Sequence, residues 1–212
     1  MGGRTIYRLK ARAVGPDNAV DLFDDLSGEV AATATYTGRA VFANLTIDCG
    51  LSGGVWRAGP NRQVMPTTWR VEPLAGAGAT VFSRPVGAKL LNPLARELLT
   101  VVRESGEGSE SFAVSDARRG GLGRLLNLAA SDWALLRDDA IVGAFGRASD
   151  PRSAEAARRS GGPLGRARGA LARTLGSVAG DRALASIGDE HALRPAEALV
   201  ALILFAELTQ TG

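Results

Sequence analysis

The closing stretch of the chain constrains the fold most. Residues 195–209 read Pro-Ala-Glu-Ala-Leu-Val-Ala-Leu-Ile-Leu-Phe-Ala-Glu-Leu-Thr, and from Ala198 to Ala206 no residue is polar. Helical residues follow one another at about 100°, so such a run covers the whole circumference rather than one stripe. A helix that is apolar all round must be buried all round. Pro195 suits the first helical position, Ala and Leu favour the interior, and Glu197 places a negative charge in the first turn. The rival is a membrane anchor. Crossing a bilayer takes roughly 20 mostly apolar residues, and the uncharged run between Glu197 and Glu207 falls well short. The expectation is a core helix with the rest of the chain as a wall around it.

That wall reads as strands. Thr5 to Val14 sets Tyr7, Leu9, Ala11 and Ala13 against Arg8, Lys10 and Arg12, with Ile6 the exception on the polar side. Such alternation marks a half-buried strand. Val20 to Phe23 and Glu29 to Tyr36 flank Asp24-Asp25-Leu26-Ser27-Gly28 as a hairpin. Arg39 to Ile47, Val64 to Glu72 and Thr80 to Arg84 are further strands, with Pro66 marking an edge or bulge. Leu90 to Leu98 reads as a helical turn, and Leu122 to Leu128 as a short apolar run in a Gly/Arg loop. Leu98 to Arg103 and Ser111 to Ser115 form a pair, as do Trp133 to Leu136 and Ala140 to Phe145. Arg182 to Ile187 is the last strand. Trp69 to Arg84 and Trp133 to Arg147 repeat one pattern of Trp strand, turn, apolar strand and Arg.

Composition narrows the function classes. There is one cysteine, Cys49, so no internal disulfide is expected, and a reduced compartment is expected rather than required. Met1 to Thr5 runs straight into a strand-like segment, without a signal-peptide pattern. The net charge is only +3. Residues 147–182 hold eight arginines against three acids, so the positive balance is local to them. Only Lys10 and Lys89 are lysines, and this richness in Arg and Ala is also what a GC-rich bacterial genome produces.

Catalytic chemistry finds no constellation. Metal sites want clustered His, Cys and carboxylates, whereas His191 and Cys49 are each solitary. His191 reads as a surface or capping residue, and Cys49 as a small turn residue with no base beside it. Asp24-Asp25 and Asp138-Asp139 sit at hairpin turns, where Asp bonds nearby backbone N–H groups. Gly50 to Gly54 and Arg119 to Arg124 are glycine-rich but match neither a Walker nor a dinucleotide-binding fingerprint. No catalytic residue, metal ligand or cofactor is expected, which points to a non-enzymatic binding module. Its candidate ligands for anionic headgroups are Arg118, Arg119 and Arg124, with Arg158, Arg159, Arg166 and Arg168. These could meet anionic lipid electrostatically; the alternative is that both segments are simply solvated. Nucleic-acid readers interleave aromatics for stacking, and 147–182 has none, so no nucleic-acid partner is expected.

Many short strands, the turns Asp24 to Gly28 and Asp48 to Gly50, the Trp69 and Trp133 hairpins, and the closing Pro195 to Glu207 together resemble the tubby-like fold. Within it, the chain is most similar to the LURP-one-related and phospholipid-scramblase-like group, over residues 5–146 and 182–209. The resemblance implies a mainly β protein: a closed antiparallel barrel of about twelve strands with the C-terminal helix through its middle. It implies one domain over 1–212, with an Arg/Ala/Gly-rich insertion at about 147–181. It also implies a peripheral engagement of anionic phospholipid headgroups by a cytoplasmic protein without a transmembrane segment. No headgroup-binding position of the tubby proteins can be matched here, and the scramblase calcium motif is not recognisable. The alternative function is a soluble scaffold or regulator whose partner is another protein.

Overall fold

The computed structural model describes residues 5–14, 17–24, 27–85, 97–105, 108–116, 133–138, 140–146, 181–187 and 193–210. The described residues are mainly β, with one long helix among them. They hold twelve strands in order: β1 (Thr5–Val14), β2 (Asp17–Asp24), β3 (Val30–Tyr36), β4 (Leu45–Asp48), β5 (Val55–Pro60), β6 (Thr68–Pro73), β7 (Ala79–Ser83), β8 (Glu97–Ser105), β9 (Gly108–Asp116), β10 (Trp133–Arg137), β11 (Ala140–Gly146) and β12 (Asp181–Ile187). A one-turn helix, α1 (Gly50–Gly53), links β4 to β5, and a 3-10 turn, Ala40–Phe42, links β3 to β4. The final helix is α2 (Pro195–Gln210).

Every pairing is antiparallel between sequence neighbours, except that β1 also pairs with β12. The neighbour order is therefore circular, β1-β12-β11 and onward down to β3-β2. Strand periodicity explains the lining. In β4, Leu45 and Ile47 are buried while Thr46 and Asp48 face out; in β6, Trp69 and Val71 are buried while Arg70 and Glu72 face out. Successive side chains of a strand point to opposite faces, so each strand supplies one apolar row.

α2 meets those rows from several sides. It contacts β12, β1, β2 and β3 as well as β6 and the 3-10 turn. Its Glu197 reaches Thr80 on β7 and Arg103 on β8, and the Phe205 ring lies 5.6 Å from that of Phe145 on β11. Every residue from Ala196 to Ala206 is buried. The helix contacts β3, whose buried Ala32 and Ala34 are small, and Trp69, Phe82 and Phe112 of other strands are buried in the same core. Fully burying each Leu, Ile or Phe stabilises by roughly 1.5–3 kcal/mol, so this helix is a large part of the core. No helix among the described residues is long and apolar enough to cross a membrane.

Several strand expectations need correction. Arg39 to Ile47 is not one strand: Ala40–Phe42 turns as 3-10, and only Leu45 onward pairs. Its alternation persists because Val41 still packs inward, held by Trp69 Nε1 donating to the Val41 carbonyl at 2.8 Å. Val64 to Glu72 is likewise too long. Residues 61–67 form a loop, and the strand starts at Thr68. Pro66, which has no N–H for a ladder, sits inside that loop. The sequence reading lacks β5 altogether, although Trp56 and Ala58 alternate inward. The two Trp hairpins do exist, and in each the Trp faces a Phe: Trp69 opposite Phe82, Trp133 opposite Phe145.

Candidate functional site

An antiparallel meander sends alternate connections to opposite ends of the sheet. One end carries the short links: β2–β3, β4–β5, β6–β7, β8–β9 and β10–β11, none longer than six residues, and the step from β12 into α2. The other end carries β1–β2, β3–β4, β5–β6, β7–β8, β9–β10 and β11–β12. In sequence, these latter links hold fifteen Arg and Lys against three acids, whereas the short-link end holds seven acids against one Arg. The +3 net charge thus hides an uneven sorting of charge, in sequence, between the two sets of connections.

The short-link end is built around Glu197. Thr80, Arg103 and Glu110 lie side by side in register on β7, β8 and β9. The buried Glu197 carboxylate accepts from Thr80 Oγ1 at 2.6 Å and from Arg103 Nε at 3.1 Å and Arg103 Nη2 at 2.5 Å. It also accepts the backbone N–H of Arg194 at 2.7 Å. The last contact is the reciprocal half of a capping box, with the third helical residue reaching back to the N-cap. Arg103 in turn donates to Glu110 at 2.6 Å and lies over the Phe112 ring. Burial works against the Arg103 charge, but Glu197 and then Glu110 more than offset it, so its pKa lies above the ordinary value. Every donor here has its acceptor, which makes the cluster a structural clamp rather than a reactive site.

Nearby, Cys49 is buried. Desolvation first, and then Asp48, push its thiol up to about 11. Tyr7 is raised too, by burial first and then by Asp24 and Cys49. A thiol held protonated is a poor nucleophile. Asp48 Oδ1 accepts the Gly50 N–H at 2.8 Å, and Asp138 takes a positive φ of 48°; both are turn roles open to Asp. Among the described residues no group of three His, Cys, Asp or Glu could hold a metal. Asp25, Asp139 and His191 lie outside the described residues.

The basic end is organised differently. Glu207 of α2 pairs with Arg39 at 2.7 Å, and Arg39 lies over the half-exposed Phe42 ring. The β5–β6 loop is closed by Asn61. Its backbone N–H donates to the Thr68 carbonyl at 2.8 Å, and its Oδ1 accepts the N–H groups of Thr67 and Thr68, both at 3.3 Å. Pro66 is buried beneath, and the Thr67 carbonyl accepts the Arg84 N–H at 2.7 Å. Thus fixed, the tip pushes Val64 and Met65 into solvent, at 76% and 79% exposure, with Met65 at a φ of +49°. Left-handed backbone costs a non-glycine residue on the order of 1 kcal/mol. Exposed apolar residues also occur at the acidic end, namely Val30, Val55 and Leu74, so charge is what separates the two ends.

A groove of about 440 Å³ runs over the outer face of β4, β5 and β6, between Asn44, Thr46, Arg57, Arg70 and Glu72. Arg70 is paired with Glu72 at 3.0 Å and Glu104 at 3.6 Å.

The seven arginines read from sequence as headgroup ligands, Arg118, Arg119, Arg124, Arg158, Arg159, Arg166 and Arg168, lie outside the described residues, as does the segment 147–180. The strand ends that bracket them, Asp116 and Trp133, Gly146 and Asp181, all lie at the basic end. Sequence reasoning missed the Val64–Met65 tip by extending a strand through it; Pro66 was the signal against that. It also read Glu197 only as a helix-end charge. The sign of more was Arg103, which continues the inward row of Leu99 and Val101. No family model matches the chain, and no curated protein matches it.

Proposed function

We propose that this chain is a non-enzymatic binding module that engages anionic phospholipid headgroups at a membrane surface through its basic end. The observation that carries the reading is the sorting of charge: fifteen basic residues against three acids in the connections at one end of the sheet. Each Lys or Arg near an anionic leaflet is worth about 1 kcal/mol, so even a fraction of these would hold the protein there. The acidic opposite end would be repelled, which gives the bound protein one orientation.

The same reading takes the sheet as a closed antiparallel barrel of about twelve strands, as in the tubby-like fold and its LURP-one-related and phospholipid-scramblase-like group. The circular strand order and the buried α2 support it. In that arrangement the helix is a plug, the clamp at Glu197 fixes it, and the ligand meets the rim rather than an interior pocket. Peripheral attachment at the cytoplasmic face of a membrane follows from this reading.

Flotation with phosphatidylcholine vesicles, with and without phosphatidylglycerol, tests it. The expected result is recovery with the anionic vesicles only, falling steeply as salt is raised because exposed charges are screened. Equal, salt-insensitive partitioning to both, or none to either, would leave the protein-binding scaffold as the better account.

A further inference from the structure

We infer that the β5–β6 loop is a membrane-inserting tip, with Val64 and Met65 entering the acyl boundary of an anionic bilayer. This rests on the reading of the basic end as a headgroup surface. Three observations converge. Val64 and Met65 are the two most exposed large apolar side chains described. Their loop is locked from within by Asn61 and by the buried Pro66, so the apolar pair is displayed at little further ordering cost. Arginine adjoins it: Arg62 lies within the loop, reaching Thr67 Oγ1 at 3.4 Å, and the exposed Arg84 is joined to the loop by its backbone N–H on the Thr67 carbonyl. Apolar tips next to cations suit the boundary between acyl chains and anionic headgroups. An acidic protein partner would satisfy the arginines but would gain less from two isolated aliphatic tips. The acidic end has exposed Val30, Val55 and Leu74 but its connections are acidic in sequence, and it is not assigned this role.

The structure also supplies the test. Cys49 is the single cysteine, and it is buried, so a Met65→Cys chain can be labelled at position 65 alone with a polarity-sensitive fluorophore. On vesicles containing phosphatidylglycerol the probe is expected to shift to the blue, and on pure phosphatidylcholine it is expected to stay unchanged. In the unlabelled chain, Val64→Ser with Met65→Ser is expected to weaken binding to the anionic vesicles roughly tenfold or more. Its thermal unfolding should be unchanged, because both side chains already face solvent. Wild-type protein that binds anionic vesicles while the probe stays in water and the double variant binds equally well would overturn the insertion but leave the headgroup reading intact. Wild-type protein that ignores the vesicles would overturn both.

Discussion

The two ends of α2 are each fastened by a glutamate–arginine pair, and the pairs are unlike. Glu197 is fully buried, meets Arg103 twice and Thr80 once, and caps its own helix. Glu207 is partly exposed and meets Arg39, whose side chain is largely in water. The difference follows from the connections. Links of at most six residues hold the strand ends close at the acidic end, so water is excluded and a buried charge can be fully satisfied. At the other end the pair stays wet. One end of the helix is thus fastened by a buried, fully satisfied cluster and the other by an exposed pair.

The sharpest way to break this contrast is to remove the buried carboxylate. Glu197→Ala takes the buried carboxylate from Arg103 and leaves it Glu110 at its outer edge, and the expected loss is about 3–5 kcal/mol in urea unfolding. A loss under 1 kcal/mol would mean that water reaches the cluster and that the ends are alike. Truncating the core should cost nearly as much, wherever along the helix it is done. Phe205→Ala, which removes the ring beside Phe145, is expected to destabilise by about 3–5 kcal/mol in the same measurement. A small loss there would show that the helix is loosely held towards the basic end.

Alkaline pH probes the acidic end alone. Cys49 is raised from an ordinary value of 9.0 to about 11, and Tyr7 is raised also. Above pH 9 the unfolded chain gives up the thiol proton while the folded chain retains it, so the folded state binds more protons and stability falls with rising pH. Stability is expected to be full below about pH 9 and to drop by on the order of 2 kcal/mol towards pH 11. Cys49→Ala should flatten part of that decline. The smallest effect belongs to the exposed pair: Arg39→Ala is expected to cost less than about 1 kcal/mol and to lose even that in high salt. Were it to match Glu197→Ala, the contrast between the two ends would be gone.

Much of the wall was legible in order along the chain. The hairpins β2–β3 and β10–β11 carry alternating apolar rows on either side of Asp-rich turns, and both pair as expected. β5 was not legible. Val-Trp-Arg-Ala-Gly-Pro is short, follows a glycine run and ends in turn residues, so only Trp56 and Ala58 mark its inward face. That one omission matters beyond its six residues. In an antiparallel meander the end at which a connection emerges depends on whether it follows an odd or an even strand. Dropping β5 moves every later connection to the wrong end, and the arginines of 117–132 and 147–180 would then join the Asp24–Glu29 turn rather than oppose it. Eleven such strands could not close with every pair antiparallel either, because β1 and the last strand would run parallel, whereas β1 and β12 pair antiparallel.

By itself, the sequence determined that residues 195–209 form a helix whose apolar run, 198–206, is buried on every side, because no orientation of an all-apolar surface can face water. It determined that alternating strands surround it, and that the positive charge is concentrated in a few stretches. Only the tertiary structure decided which stretches share an end, since strand pairing, not proximity along the chain, sets that. It also decided that Arg103, Thr80 and Glu110 would align in register under Glu197, and that Val64 and Met65 would stand clear of the sheet. Those are outcomes of long-range register and loop closure, which no local period in the sequence encodes.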